Sequence, residues 1–402
     1  MDNVLFRLPR SVQINLIILF AAGLMFWAGL ASLLPVLPLY IESVGASSQE
    51  IGLTMGCFAI GLLTCRAGLA KMADRRGRKI VLMIGLVAIA LAPLGYLLTE
   101  SIPLLMAFRA FHGISIAAFA TAYSALVVDI SPPQNRGEVV GYMSLVNPLG
   151  LALGPAMGGY LYEWVGFAPL FLASAGLGTV GLLCAANIRE SHRLVTTKAM
   201  QLPENDRFWS LLLTDRVRIP ATILLLVGLA FGTLSTFVPL FIAETGVTLN
   251  AGLFYATAAI ASFAIRLIAG RASDRYGRGR FITLSLLLYS TSMFVLWQAT
   301  SDAMFLLAGL LQGAGSGTLI PMIAVLMADR SHANERGRMF GLCMTGFDIG
   351  IAIAGPTLGI AANAIGYRGI FGISAGLSLL GFFIFITLSS KDLQHSLRFA
   401  LA

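Results

Sequence analysis

Residues 74–78 read Asp74-Arg75-Arg76-Gly77-Arg78, and about 200 residues later the chain returns to Asp274-Arg275-Tyr276-Gly277-Arg278. Each copy joins two long apolar runs, 51–70 to 80–98 and 251–269 to 281–297. A charged turn recurring between apolar segments at one fixed offset marks a duplicated membrane unit. At the same offset Arg66 meets Arg266, His112-Gly113 meets Gln312-Gly313, Asp129 meets Asp329, Arg136-Gly137 meets Arg336-Gly337, and Gly141 meets Gly341. One residue of slippage then pairs Gly154-Pro155 with Gly355-Pro356.

Working outward from these loops, further apolar runs cover 14–41, 102–128, 139–162 and 170–188 in the first half, and 219–242, 304–328, 339–362 and 370–388 in the second. Each is about the ~20 residues a spanning helix needs, since hydrocarbon offers backbone N–H and C=O groups no outside partner. The expected fold is therefore an all-α membrane protein of twelve transmembrane helices in two six-helix pseudo-repeats. Its parts are an N-terminal bundle (1–188), a cytoplasmic linker (189–218) and a C-terminal bundle (219–402). An even number of spans per half gives both halves one orientation, so the repeat is parallel, and the two bundles are expected to enclose a central cavity. The run that opens the chain, after Arg7 and Arg10, is too long for a signal-peptide core and reads as an uncleaved span.

Composition agrees: 57% of residues are apolar and only 11% charged, against about 25% charged in a soluble domain. With both termini in the cytoplasm, all of the 27 Lys and Arg except Arg109, Arg266 and Arg368 fall in or beside cytoplasmic segments. The opposite loops carry Arg368 against Glu42, Glu50, Glu100, Glu163, Glu244 and Asp302. This positive-inside bias accounts for the net charge of +8 without a nucleic-acid partner and orients a multi-pass protein of the plasma (inner) membrane. Cys57, Cys65, Cys184 and Cys343 lie inside apolar runs without ligand spacing, so neither disulfides nor a metal site is expected. The chain has no Gly-Lys dipeptide and no His-Glu-x-x-His, which removes the usual signatures of nucleotide-driven and zinc chemistry; no cofactor is expected.

The loop Asp74 to Lys79 resembles the signature between the second and third helices of the major facilitator superfamily, with Ala70 at a place where that signature has glycine and the second copy keeps Gly270. The resemblance implies a conformational gate built from Asp74, Arg75, Gly77, Arg78 and Asp129 and from Asp274, Arg275, Gly277 and Arg278. In it Asp74 pairs with Arg78, Arg78 pairs with Asp129, and the set docks on the start of helix eleven in one conformation. The plainer reading is a solvated, orientation-setting basic loop.

Leu105-x3-Arg109-x2-His112-Gly113 resembles the fourth-helix motif of proton-linked members. Arg109 lies ~10 Å along its helix, at a depth where a cation costs roughly 2 to 3 kcal/mol unless it meets water or a partner. His112, one turn on, either titrates near neutral pH or is a hydrogen-bonded structural histidine. Helix five reads Gly141-x8-Gly150-x3-Gly154-Pro155-x2-Gly158-Gly159, the pattern of drug:proton antiporters in the superfamily. Its glycines at i, i+4 and i+8 bare one face for close helix approach, a feature also common in membrane helices generally. The end of helix one, Pro35-Val36-Leu37-Pro38-Leu39-Tyr40 with Gly45 beyond, is similar to the same branch, or is an ordinary proline bend.

Asp348 falls ~13 Å into helix eleven, near the bilayer midplane. It is read as a proton carrier with Arg109 and His112, or as a hydrogen-bonding strut. If helices one, four, seven and ten face the centre as the resemblance implies, Phe26, Trp27, Phe119, Tyr123, Phe237, Gln312 and Ser316 line it, with Asn147 from helix five. Aromatic lining suits lipophilic solutes. The expected function is export of small organic, lipophilic or drug-like compounds in exchange for protons by alternating access, by a monomer whose partners are substrate, protons and the bilayer. Export of a sugar or other polar metabolite, and a non-transporting membrane sensor or scaffold, are the alternatives.

Overall fold

A computed structural model describes residues 8–189, 214–331, 336–390 and 392–401. Most of the expected linker, and the side chain of Asp274, lie outside the described residues. The chain divides into two compact units, Met1–Arg193 with Asn250–Ala256 and Leu194–Leu249 with Thr257–Ala402. Residues 250–256, assigned by sequence to the second bundle, thus group with the first unit.

Among the described residues eleven helices are long and apolar enough to span a membrane, and the last, Met339–Leu388, is two spans in one because Gly366 breaks it at φ 71°. That makes twelve crossings. The turns repeat as faithfully as the sequence does. Among the described residues the positive-φ positions are all glycine, and they pair as Gly45 with Gly246, Gly77 with Gly277, and Gly166 with Gly366. Such φ values cost a side chain ~1 kcal/mol or more, so these turns hold glycine in both copies.

Two spans expected to be continuous are interrupted. The first consists of Arg10–Ser32 and Leu37–Ser43, the fifth of Arg136–Met143 and Val146–Val165. A proline ring clashes with the carbonyl four residues earlier. For Pro38 that carbonyl belongs to Leu34 and for Pro148 to Ser144, which is where the two helices break. At the other end of the first unit, Ser47 and Glu50 form a reciprocal capping box that starts the second span, Ser48–Arg76.

In the first unit span one packs on spans five and six, and span four packs on spans two and three; in the second, span seven packs on the 336–388 pair and span nine on span ten. Outward-facing side chains such as Ile17, Leu98, Leu153 and Leu183 are more than half exposed, the apolar belt expected where the surrounding solvent is lipid. Cohesion inside each bundle therefore comes from close packing and interhelical hydrogen bonds rather than from burial against water. Glycine sets the closest approaches. A Cβ on Gly113 would overlap the Phe58 carbonyl, and one on its repeat mate Gly313 would overlap the Ala258 carbonyl.

Candidate functional site

Gly77, at φ 102°, ends the second span and starts the third at Arg78. That turn brings Arg78 back to the fourth span: its Nε lies 3.1 Å from Asp129 Oδ2, and its Nη2 4.0 Å from Asp74 Oδ1. In the second unit Arg278 pairs with Asp329, and its Nη1 also donates to the Val325 carbonyl at 3.3 Å. The same charge pair thus joins the same two helices in both units. All the carboxylates concerned are well exposed, so each pair is worth ~1 kcal/mol or less, enough to bias an arrangement but not to hold a fold. Arg75 and Arg275 are exposed, the latter with its guanidinium 5.4 Å from the Tyr276 ring. Asp329 was absent from the gate expected by sequence, although its match with Asp129 in the repeat already pointed to it.

Deeper in the first unit, the fourth-span motif is part of a polar cluster closed on every side. Arg109 is 7% exposed and His112 and Tyr96 are buried. The Arg109 guanidinium lies over Phe58, 4.5 Å from the ring centroid, and its Nη1 is 3.5 Å from His112 Nδ1. Tyr96 hydroxyl lies 3.0 Å from the same nitrogen. Arginine can only donate, so Nδ1 accepts, the Tyr96 hydroxyl donates to it, and the neutral ring carries its proton on Nε2. That nitrogen and Arg109 Nε have no hydrogen-bond partner among the described residues. No described carboxylate pairs with Arg109 either, so this is a buried cation whose compensation is π density and neutral dipoles. Sequence reasoning missed Phe58 and Tyr96, since an aromatic in an apolar run reads as core. The one available signal was that Tyr96 aligns with Leu296 in the repeat.

Asp348, in the eleventh span, is 7% exposed and lies inside the second unit. Its helix runs tight against the seventh span, where added Cβ atoms on Gly346 and Gly350 would strike the Ala221 and Leu225 carbonyls. The fifth-span stripe is equally specific. Cβ atoms on Gly150, Gly154 and Gly158 would strike Trp27, Ala28 and Ser32 of the first span, whereas one on Gly141 would meet nothing. Gly159 faces Asn250, and Gly252 faces the Pro155 carbonyl. Asn250 Oδ1 caps the Gly252 N–H at 2.7 Å. Tyr40, beyond the paired prolines, donates to the carbonyls of Tyr96 (2.9 Å) and Thr99 (3.2 Å), fixing the bent end of span one to span three.

The lining candidates divide. Phe26 and Phe119 stack at 3.8 Å between centroids and both are fully buried, as is Phe237. Tyr123 adds to that stack and donates its hydroxyl to the Met143 carbonyl at 2.9 Å. Gln312 is buried and donates to Tyr289 hydroxyl at 3.2 Å. These five are packing partners with little or no open surface. Trp27, Asn147 and Ser316 are half-buried, and Ser316 donates to the Gly313 carbonyl.

The family model described as Major Facilitator Superfamily matches residues 18–271 and 249–399. The chain belongs to this superfamily. As such it is a multi-pass membrane transporter and not an enzyme. Among superfamily members, an MFS-type transporter of Salmonella typhimurium is 26% identical over 381 residues, covering 92% of this chain and 96% of that one. Multidrug resistance protein MdtG of Salmonella arizonae is 25% identical over 383 residues, covering 92% and 94%. Of solved structures, a mutant of the nucleoside transporter NupG superposes with a TM-score of 0.78 at 15% identity, over 92% of this chain and 98% of that one. A D-xylose-proton symporter gives 0.74 at 16%, over 93% and 97%. At these identities the two structures speak for the superfamily fold alone.

Proposed function

We propose that this transporter exports small organic, lipophilic compounds in exchange for protons, by alternating access, in the plasma (inner) membrane with both termini cytoplasmic. The observation that carries the reading is the match, over 92% of the chain, to a protein named for multidrug resistance, with the fifth-span glycine stripe seated on the first span as close packing requires. In this scheme Asp348 exchanges protons, Arg109 with His112 tunes that exchange, and the Arg78–Asp129 and Arg278–Asp329 pairs open and close with each cycle. A proton entering down ~100 mV supplies about 2.3 kcal/mol, enough for a gradient of roughly fiftyfold.

The test is uptake of a cationic dye into inside-out vesicles, whose lumen corresponds to the outer side of the membrane, with the lumen made acidic. Wild type transports faster with the difference applied, and Asp348→Asn loses that dependence. Proton-independent transport by both removes the antiport mechanism, and competition by sugars rather than dyes replaces the substrate class.

A further inference from the structure

Between the ninth and twelfth spans the second unit has a cavity of about 390 Å³ that opens to the side. Its walls are Leu287, Phe294 and Trp297, and its floor is Gly372, Ala375 and Gly376. Both helices are membrane spans, and Phe294 and Trp297 are substantially exposed, so the opening faces hydrocarbon. Two features make it more than a gap between helices. A Cβ on Gly372 would come within 3.2 Å of the Trp297 ring, whereas one on Gly376 would meet nothing within 4 Å, so in this Gly372-xxx-Gly376 pair, a spacing that normally brings a second helix close, the Gly376 position is left bare. At one end Arg368 donates from Nη1 to the Trp297 carbonyl at 3.1 Å and from Nη2 to the Ala299 carbonyl at 2.9 Å. A guanidinium has five N–H donors, so three remain beyond those two bonds, next to the wall that Trp297 supplies.

We propose that this slot holds one acyl chain of a phospholipid whose phosphate rests on Arg368. Its volume is that of a small-ligand site, roughly 300 to 1,000 Å³. A single hydrocarbon chain is far narrower than a helix, which is roughly 10 Å across with its side chains, and so is the better match for a trough with aromatic walls and a glycine floor. Guanidinium forks match phosphate oxygens, and the arginine stands at the end of the spans, where a headgroup lies. The first half differs in the residues that form the slot. Leu172, 56% exposed, stands at the repeat position of Gly372, and the position matching Arg368 is Ala168.

Native mass spectrometry of the purified, partly delipidated full chain titrated with phosphatidylglycerol tests this. Wild type retains one lipid at least tenfold more tightly than the next. Gly376→Leu, whose Cβ meets no protein atom within 4 Å and whose side chain projects into the slot, weakens that lipid tenfold or more, and Arg368→Gln weakens it threefold or more. Equal retention by wild type and Gly376→Leu overturns the proposal. So does a wild-type dimer that Gly376→Leu dissociates with lipid retention unchanged, which assigns the face to a second copy. In a chain whose other three tryptophans are phenylalanine, phospholipid brominated on its acyl chains quenches Trp297 at a lower mole fraction than in the same chain carrying Gly376→Leu. Identical quenching curves overturn the proposal independently of Arg368.

Discussion

The two halves share a backbone but differ in the chemistry they bury. Positive-φ turns, the Gly113 and Gly313 contacts and the Arg78–Asp129 and Arg278–Asp329 pairs all recur. Yet where the first half places Arg109, His112, Tyr96 and Phe58, the second has Gly309, Gln312, Leu296 and Ala258. A charged cluster in one half thus has as its counterpart a neutral amide bonded to Tyr289 in the other. The ends of the spans diverge too. Lys79 donates from Nζ to the carbonyls of Ala186 and Ile188 at 2.7 and 2.9 Å, closing the end of the sixth span. Its repeat mate Gly279 packs against the Phe399 carbonyl, making room for the helix Leu393–Leu401, which Thr283 and Arg280 hold by the carbonyls of Ala400 and Leu401. Duplication preserved what sets helix spacing, and the halves diverged in the polar groups they bury and in how their span ends are closed.

The largest effect should come from breaking what both halves share. Gly158→Leu forces a side chain into the Ser32 carbonyl and should cost about 3 kcal/mol or more, since backbone cannot yield as a side chain can. Gly141→Leu, in open space, should leave the unfolding temperature in mild detergent unchanged. Equal losses from the two would remove the close-packing argument.

Next comes the difference between halves. Arg109→Met should lower pH-driven efflux more than tenfold while leaving thermal stability near that of wild type, because it removes a buried cation with no carboxylate partner. Gln312→Met should lower the same efflux less than threefold. If the two variants behave alike, the asymmetry has no bearing on transport.

A smaller effect is expected at the matched ion pairs. Arg78→Ala and Arg278→Ala should each change stability by about 1 kcal/mol or less, and by less again in high salt. Each should slow transport by a similar factor, measured as the initial rate in vesicles. A loss confined to one of them would show that only one loop gates.

The smallest effect concerns the C-terminal helix, which the first half has no counterpart for. The backbone N–H of His395, followed by its ring, holds the Asp392 carboxyl below the usual carboxylate range. A depressed acid contributes stability above its unfolded value of about 3.9 and loses it as pH falls through the folded value. Hydrogen exchange over 393–401 should therefore be flat from neutral pH to about 5 after correction for intrinsic rates, and rise below about 4. In Asp392→Asn the acid-dependent rise should vanish.

Much of this architecture was legible beforehand because membrane physics writes itself into composition: apolar length, charge at the span ends and glycine at the turns. The breaks in spans one and five were not foreseen, although Pro38 and Pro148 were visible, since membrane helices often carry a proline through with only a bend. The stacking of Phe26 on Phe119, and their burial as packing, also escaped a reading that assigned helix faces by analogy.

By itself, the sequence determined that this is a twelve-span duplicated membrane protein, which end of each helix carries charge, and where the backbone must turn. Those properties depend on residues close in the chain and on the surrounding solvent. Only the tertiary structure decided that Arg109 lies over Phe58, that Gly158 meets Ser32, and that Gly376 meets nothing. Each of those depends on the rotation and offset of helices far apart in sequence, which a few tenths of an ångström of packing select and no periodicity records.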